Sequence, residues 1–246
     1  MIRLYKDNFD SNVFGGNIYK LFIDKKIESE DVITNLLKNK DISYIFCFTT
    51  FNNFNIDILT KLGFRFISIR NIYKKIFDKV NPLLKIPAGY KILRNSKRQI
   101  ELSDIQITDI ANVIGNTSRY FKDNKLPKKK SLNLYRNWIK NSLYRGYADE
   151  SFVIFKNKSL AGIITLKIKP EGGYVDLIGI AREFQNKGLG GVLLQKGVKY
   201  LLGKKIRNMY TITEGENVPA SRFYQKNGFI LDDVQLVYHK NFRNNK

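Results

Sequence analysis

The chain has 246 residues, 43% of them hydrophobic, and a formal net charge of +21. That length suits one or two domains, and that composition can bury a core, which excludes a disordered chain. One cysteine, Cys47, and one histidine, His239, exclude an internal disulfide and leave too few soft ligands for a structural zinc, so no metal is expected.

No apolar leader and no apolar run of about 18 residues is visible, so a soluble, cytoplasmic protein without a transmembrane segment is expected. The positive charge suits nucleic acid, an anionic membrane or polyanionic small substrates. Basic residues are spread along the chain, and the nearest approach to a tract is 125–130. Abundant Lys, Asn and Ile also fit an AT-rich genome, so nucleic-acid binding is disfavoured.

In chain order, residues 7–16 read as a loop carrying aromatics and 17–23 as a strand. Residues 28–40 are helical in period, with Ser29 as N-cap and Val32, Ile33, Leu36 and Leu37 as the apolar stripe. Residues 42–49 form a strand, 55–62 a helix stopped by Gly63, and 64–76 one or two strands. Residues 78–89, with Pro82, Pro87 and Gly89, are the expected linker, dividing the chain into 1–88 and 89–246.

Beyond the linker, 90–102 holds a strand, 108–114 a helix capped by Thr108, 117–123 a basic loop and 131–143 a helix. In that helix Leu134, Tyr135, Trp138 and Ser142 fall on or near one face. Residues 151–155 and 160–168 pair as a hairpin, and 173–180 form the next strand. A glycine-rich turn and an amphipathic helix follow, then a strand at 207–213, a short helix at 219–226 and a last strand at 234–239. The class is α/β with a mixed sheet. A short echo links Lys61-Leu62-Gly63-Phe64 to Lys226-Asn227-Gly228-Phe229, each helix, Gly-Phe, strand. Chance is one reading of so short an echo; the other is that the N-terminal third is a partial copy of the C-terminal fold that lacks the phosphate loop.

The glycine-rich turn is Gln185-Asn186-Lys187-Gly188-Leu189-Gly190-Gly191. A strand that feeds such a turn and then a helix N-terminus presents unpaired N–H groups and a positive dipole end, both suited to phosphate. Gly188 and Gly190 permit close backbone approach, and Lys187 adds charge. A dinucleotide fingerprint would need a third glycine where Leu193 stands, and a P-loop would need Gly-Lys-Ser/Thr, which is absent. A ligand-free turn remains the alternative. The pattern Gln-x-x-Gly-x-Gly resembles the pyrophosphate loop of the GCN5-related N-acetyltransferase (GNAT) superfamily, whose co-substrate is acetyl-CoA. The element order from residue 90 is the one this superfamily would have. The resemblance implies a C-terminal GNAT acetyltransferase fold preceded by a smaller, partial GNAT-like αβ domain.

Residues 217–229 resemble the superfamily's Asn-x-x-Ala-x-x-x-Tyr-x-x-x-Gly-Phe segment. Asn217 can cap the helix or bond the pantetheine arm. Tyr224 can pack in the core or, as the resemblance implies, donate a proton to the departing thiolate of coenzyme A. The superfamily's strand before the loop splays from its neighbour, so backbone groups of Ile178 to Ile180, with Ile178 and Ile180 at the ends, are expected to pair with pantetheine and polarise the thioester. Asp176, Glu214 and Glu150 are candidates for removing the amine proton, each with a solvated surface carboxylate as the alternative.

Asp10-Ser11-x-x-Phe14-Gly15, Ser118-Arg119-Tyr120-x-x-Asp123 and Leu134-Tyr135-x-x-Trp138-Ile139-x-x-Ser142 resemble the WecD-like branch, which acetylates dTDP-4-amino-4,6-dideoxygalactose (dTDP-fucosamine). Thr213-Glu214 departs from its Thr-Gln. The resemblance implies a small-molecule acceptor, a dTDP- or UDP-linked amino sugar, for bacterial surface-polysaccharide synthesis. It gives the charge a use, since both substrates are polyanionic. Arg119, Lys122, Asp176 and Glu214 are the expected acceptor-side residues, with an Arg119–Asp123 ion pair as the alternative for Arg119. A homodimer is compatible. Acetylation of another amine (a protein N-terminus, lysine, polyamine or antibiotic), or a basic RNA- or membrane-associated module, are the competing readings.

Overall fold

The computed structural model describes residues 1–79, 84–95 and 100–242; Pro82 of the expected linker lies outside them. The β-branched and aromatic runs build β1 (Ile2–Lys6), β2 (Ile18–Ile23), β3 (Tyr44–Thr50), β4 (Arg65–Ile76) and β5 (Tyr90–Arg94). The later runs build β6 (Glu150–Lys156), β7 (Ser159–Lys169), β8 (Gly172–Ile180), β9 (Asn208–Glu214) and β10 (Ile230–Asn241). All ten join one sheet in the order β1-β2-β3-β10-β4-β9-β8-β7-β6-β5. Most neighbours run antiparallel; β2/β3 and β8/β9 are parallel.

Helices cover both faces. They are α1 (Asn8–Phe14), α2 (Glu30–Leu37), α3 (Asn53–Lys61) and α4 (Asp104–Gly115), then α5 (Arg119–Lys122), α6 (Lys128–Tyr144), α7 (Leu189–Gly203) and α8 (Val218–Lys226). The two-residue period of β3 shows the layering. Tyr44, Phe46 and Phe48 pack into a core with Phe14 of α1, Ile107 and Ile110 of α4, and Leu134 and Ile139 of α6. Ile45 and Cys47 point the other way, into a core with Ile33 of α2 and Leu59 of α3. A third core gathers Leu193 and Leu201 of α7 and Tyr224 of α8 beneath β4, β7 and β9. No helix among the described residues is long and apolar enough to cross a membrane.

Segments 1–88 and 89–246 share this sheet. The C-terminal strand β10 lies between β3 and β4, and β4 pairs with β9. The division at residue 88 is thus one of the chain and not of the sheet.

Three local expectations change. Residues 7–16 are not a loop: Asp7 accepts the Asp10 N–H at 2.8 Å and caps α1, which Gly15 ends at φ 68°. Thr108 is not a cap. Ser103 is, in a reciprocal capping box with Gln106, because the helix begins a turn earlier than its apolar period suggests. Residues 119–122 of the expected basic loop are the short helix α5.

Candidate active site

Strands β8 and β9 pair only through Gly173–Met209, Tyr174–Tyr210 and Val175–Thr211. Beyond that point each strand continues, but not against the other. On its far side β8 stays paired with β7 as far as Ile180 opposite Gly162. One edge of residues 176–180, including Ile178 and Ile180, is therefore open, and its backbone groups face a cleft of about 900 Å³.

A bulge sits where the strands part. Thr165 opposes Leu177 and Leu166 opposes Val175, leaving Asp176 as the extra residue. A bulge resets the side-chain alternation. Val175 packs in the core beneath α7, whereas Leu177 packs in the core beneath α4 and α6. Asp176 thereby reaches α6, where it accepts the Trp138 indole N–H at 2.7 Å. Desolvation raises its pKa above the ordinary value, against the opposing effects of Lys167 and the Trp138 bond.

The glycine-rich turn closes one end of the cleft. Residues 182–184 make one 3₁₀ turn, Asn186 and Gly188 take left-handed angles (φ 61° and 75°), and α7 starts at Leu189. Among the described residues no side chain caps α7, and the Val192 N–H is the first to find a carbonyl, that of Gly188 at 3.3 Å. The N–H groups of Leu189, Gly190 and Gly191 are left for a ligand. Gly188 and Gly190 differ in purpose. A Cβ on Gly188 would meet nothing within 4 Å, but the positive φ disfavours one; a Cβ on Gly190 would lie 2.9 Å from the Phe223 ring. Gln185 braces the turn by donating from Nε2 to the Ile180 carbonyl at 3.0 Å. Lys187 folds back, its Nζ donating to the Glu183 carbonyl at 2.9 Å. The bare N–H groups and the open approach at Gly188 fit a pyrophosphate.

Across the cleft, Asn217 caps α8: its Oδ1 accepts the Ala220 N–H at 3.2 Å. Its Nδ2 donates to Thr117 Oγ1 at 3.1 Å, so it also ties α8 to the segment before α5. Tyr224, two turns into α8, packs its ring against Phe223, Phe229 and Tyr73, and it lines the cleft. Burial pushes its phenol up to about 12, and the bond with the Thr211 hydroxyl acts the other way. The phenol is therefore protonated at neutral pH. Of the two alternatives of the sequence, core packing is met by the ring, and the same residue also lines the cleft.

The expected acceptor-side residues divide. Glu214 is buried and engaged twice, accepting from Ser68 Oγ at 2.6 Å and from the Arg119 N–H at 3.2 Å. Arg119 does not pair with Asp123. Its guanidinium lies 3.7 Å from Glu214 and donates to the Tyr120 hydroxyl at 2.8 Å. Asp123 ends α5 in an extended conformation and turns instead to Arg65 at 2.6 Å, His239 Nδ1 at 2.7 Å and the Tyr44 hydroxyl. Lys122 pairs with Glu216 at 2.6 Å. Glu150 pairs with Arg94 at 2.7 Å on the β5/β6 side. Among the three carboxylates considered for the amine proton, Asp176 lines the cleft with a single hydrogen-bond partner among the described residues.

The part of the cleft wall built by residues 1–88 is not legible in the sequence. Tyr5, Lys20, Phe22, Phe48 and Arg70 line it, from four strands of the N-terminal half. No local motif marks them. Their common face follows only from the register, Phe22 opposite Phe48 and Tyr5 opposite Lys20. Among the described residues no group of His, Cys, Asp and Glu is placed to hold a metal.

Residues 117–229 match the acetyltransferase (GNAT) family. The mycothiol acetyltransferase of Arthrobacter sp. (strain FB24) is 35% identical over 69 residues, 28% of this chain and 21% of that protein. The spore coat polysaccharide biosynthesis protein SpsD of Bacillus subtilis (strain 168) is 26% identical over 133 residues, 54% of this chain and 46% of that protein. The chain thus spans less than half the length of these curated relatives. A tandem GNAT protein from the clavulanic acid biosynthesis pathway superposes over 86% of this chain and 67% of its own, with a TM-score of 0.56 at 13% identity. The chain has the GNAT fold, and the match over residues 117–229 supports its place in that superfamily.

Proposed function

We propose that this chain moves the acetyl group of acetyl-CoA directly to a primary amine, and that the amine belongs to a nucleotide-linked (dTDP or UDP) amino-deoxysugar used in surface-polysaccharide synthesis. The observation that carries the transfer is the parting of β8 from β9, with a bare helix N-terminus at one end and the Tyr224 phenol beside it. The sugar reading draws on the WecD-like sequence elements and on the likeness to a protein named for polysaccharide biosynthesis.

Acetyl-CoA supplies an activated acyl group. The N–H groups of 188–191 hold its pyrophosphate, with Gln185, Asn186 and Lys187 shaping the turn, and the open edge at Ile178 and Ile180 takes the pantetheine arm. Asn217 fixes the wall opposite. The amine nitrogen bonds to the acetyl carbon as the carbon–sulfur bond breaks. Tyr224 gives its proton to the sulfur, and Asp176 receives the proton the amine loses.

The test is calorimetric binding of acetyl-CoA together with turnover on a panel of amines that includes dTDP- and UDP-amino sugars. Tyr224→Phe is expected to bind acetyl-CoA normally and to lose about 10²-fold in kcat, the low end for a positioned acid. A full rate with an unchanged pH profile would remove Tyr224 from the chemistry. Turnover confined to amines without a nucleotide would remove the sugar.

A further inference from the structure

Arg70 differs from Lys20 and Arg119 of the same cleft, and its buried Nε sets it apart from Lys169, Arg222 and Lys226, which also line it without an ion pair among the described residues. Lys20 is held by Asp7 at 2.5 Å and Asp10 at 3.2 Å, and Arg119 by Glu214. Arg70 lines the same cleft, yet its guanidinium makes no hydrogen bond or ion pair among the described residues. Its Nε is buried and unpartnered. The carboxylate nearest in register is Glu214, directly opposite Arg70 on β9, and both its oxygens are committed elsewhere. What positions the guanidinium is the face of Phe48, 4.6 Å from the ring centroid.

A half-buried guanidinium without an anion is costly unless a ligand supplies one. Burial and the Arg119 charge lower its pKa to about 10, with Glu214 acting the other way, so it stays charged at neutral pH. Beside it runs a ladder of rings: Phe48 stacks on Phe22 at 4.8 Å, and Phe22 on Tyr5 at 6.0 Å. The outermost ring, Tyr5, is 48% exposed and open to a further flat partner. All these groups belong to strands of the N-terminal half, on the face of the sheet that Asp176 and Trp138 share.

We propose that Arg70 is a specificity residue that binds a phosphate of the acceptor, and that Tyr5 and Phe22 beside it receive a nucleobase. The proposal rests on the acetyltransferase reading of this cleft and extends it: the N-terminal half selects the acceptor, while the C-terminal half holds the acetyl donor. The guanidinium fork suits a phosphate bidentately, which a lysine cannot reproduce.

The test uses the full chain and thymidine or uridine diphosphate as probe, titrated calorimetrically with coenzyme A saturating so that the 185–191 turn is already filled. The wild type is expected to bind one of the two probes. Arg70→Ala should weaken that binding about tenfold or more, Arg70→Lys by less, and Tyr5→Ala should weaken it while sparing inorganic pyrophosphate. Coenzyme A affinity, measured alone, should change little in all three, and it reports whether each variant is folded. Equal probe binding by the wild type and a folded Arg70→Ala or Arg70→Lys would overturn the proposal. So would a wild type that binds coenzyme A but neither probe. Failure of coenzyme A to bind the wild type would instead strike the acetyltransferase reading, and the comparison of Arg70 variants with the probe alone would still decide the subsite.

Discussion

Asp176 is half-buried and Asp123 buried, and their surroundings push them in opposite directions. Asp176 has one indole N–H for company, and desolvation raises its pKa. A base titrating above the ordinary aspartate value loses its function as pH falls through that raised value. The wild-type kcat is therefore expected to fall on the acid side before an ordinary aspartate would protonate, and Asp176→Asn should lower kcat about 10²-fold and flatten that limb. An unchanged acid limb in Asp176→Asn would exclude it as the base. Asp123 is desolvated too, but His239, Tyr44 and the Lys125 N–H bond it, so its pKa falls below the usual range. Its contribution to stability is present above about 3.8, the ordinary value, and lost as pH falls through the depressed one. His239 acts in a different window. Burial lowers it from 6.5 to about 4, against the bond and charge of Asp123. Between those values the unfolded chain carries a proton that the folded chain refuses, so stability drops as pH falls from 6.5 toward 4. Urea midpoints at pH 7 and pH 5 check this: His239→Gln should show a smaller drop than the wild type, and an equal drop would refute the assignment.

The strand β8 holds the site together, and its glycines work on both faces. A Cβ on Gly173 would lie 2.3 Å from Leu201 of α7, and one on Gly179 would lie 2.6 Å from Ile114 of α4. The two residues are an even number apart, which would put them on one face of a regular strand. The bulge at Asp176 is what sends them to opposite helices. Gly179→Ala is therefore expected to cost about 1–3 kcal/mol through overpacking, and adding Ile114→Val should recover part of it. Chemical denaturation of the two single variants and the pair measures this; a Gly179→Ala chain as stable as the wild type would contradict the packing. Most of this element was readable in advance. The apolar run, the Gln185-to-Gly190 turn and the amphipathic helix have local signatures set by period and backbone angle. The bulge had none, because it is a relation between β7 and β8. Arg70 and Phe48 were invisible as site residues for the same reason: each reads as an ordinary strand residue until the register sets them side by side. The Arg119–Asp123 pairing failed because sequence proximity stood in for geometry that the end of α5 does not provide.

At the scale of the whole molecule, the short sequence echo becomes an exchange of strands. Asn52 and Asn217 each stand eleven residues before a glycine, Gly63 and Gly228. Each caps a helix, and the two glycines take φ of 75° and 79°. Unit β3-α3-β4 thus repeats unit β9-α8-β10, but Leu59 stands where Tyr224 stands, so the first copy has no phenol at that position. The outer strands are traded: β4 pairs with β9 of the second copy, β10 with β3 of the first, and β4 and β10 pair with each other at the centre. Residues 89–246 alone would leave β10 without either neighbour and β9 with only three pairs to β8. Unpaired backbone at the middle of a sheet cannot be offset by the remaining core. The segment 89–246 is accordingly expected to be insoluble or non-cooperative in thermal melting and to bind no acetyl-CoA, although it holds the turn, Asn217 and Tyr224. Co-expression with residues 1–88 as a separate chain should restore both a sharp melt and acetyl-CoA binding, because the strands pair across the cut. A segment 89–246 that melts cooperatively and binds acetyl-CoA as the full chain does would show that the first copy is an accessory and not a structural half of the site.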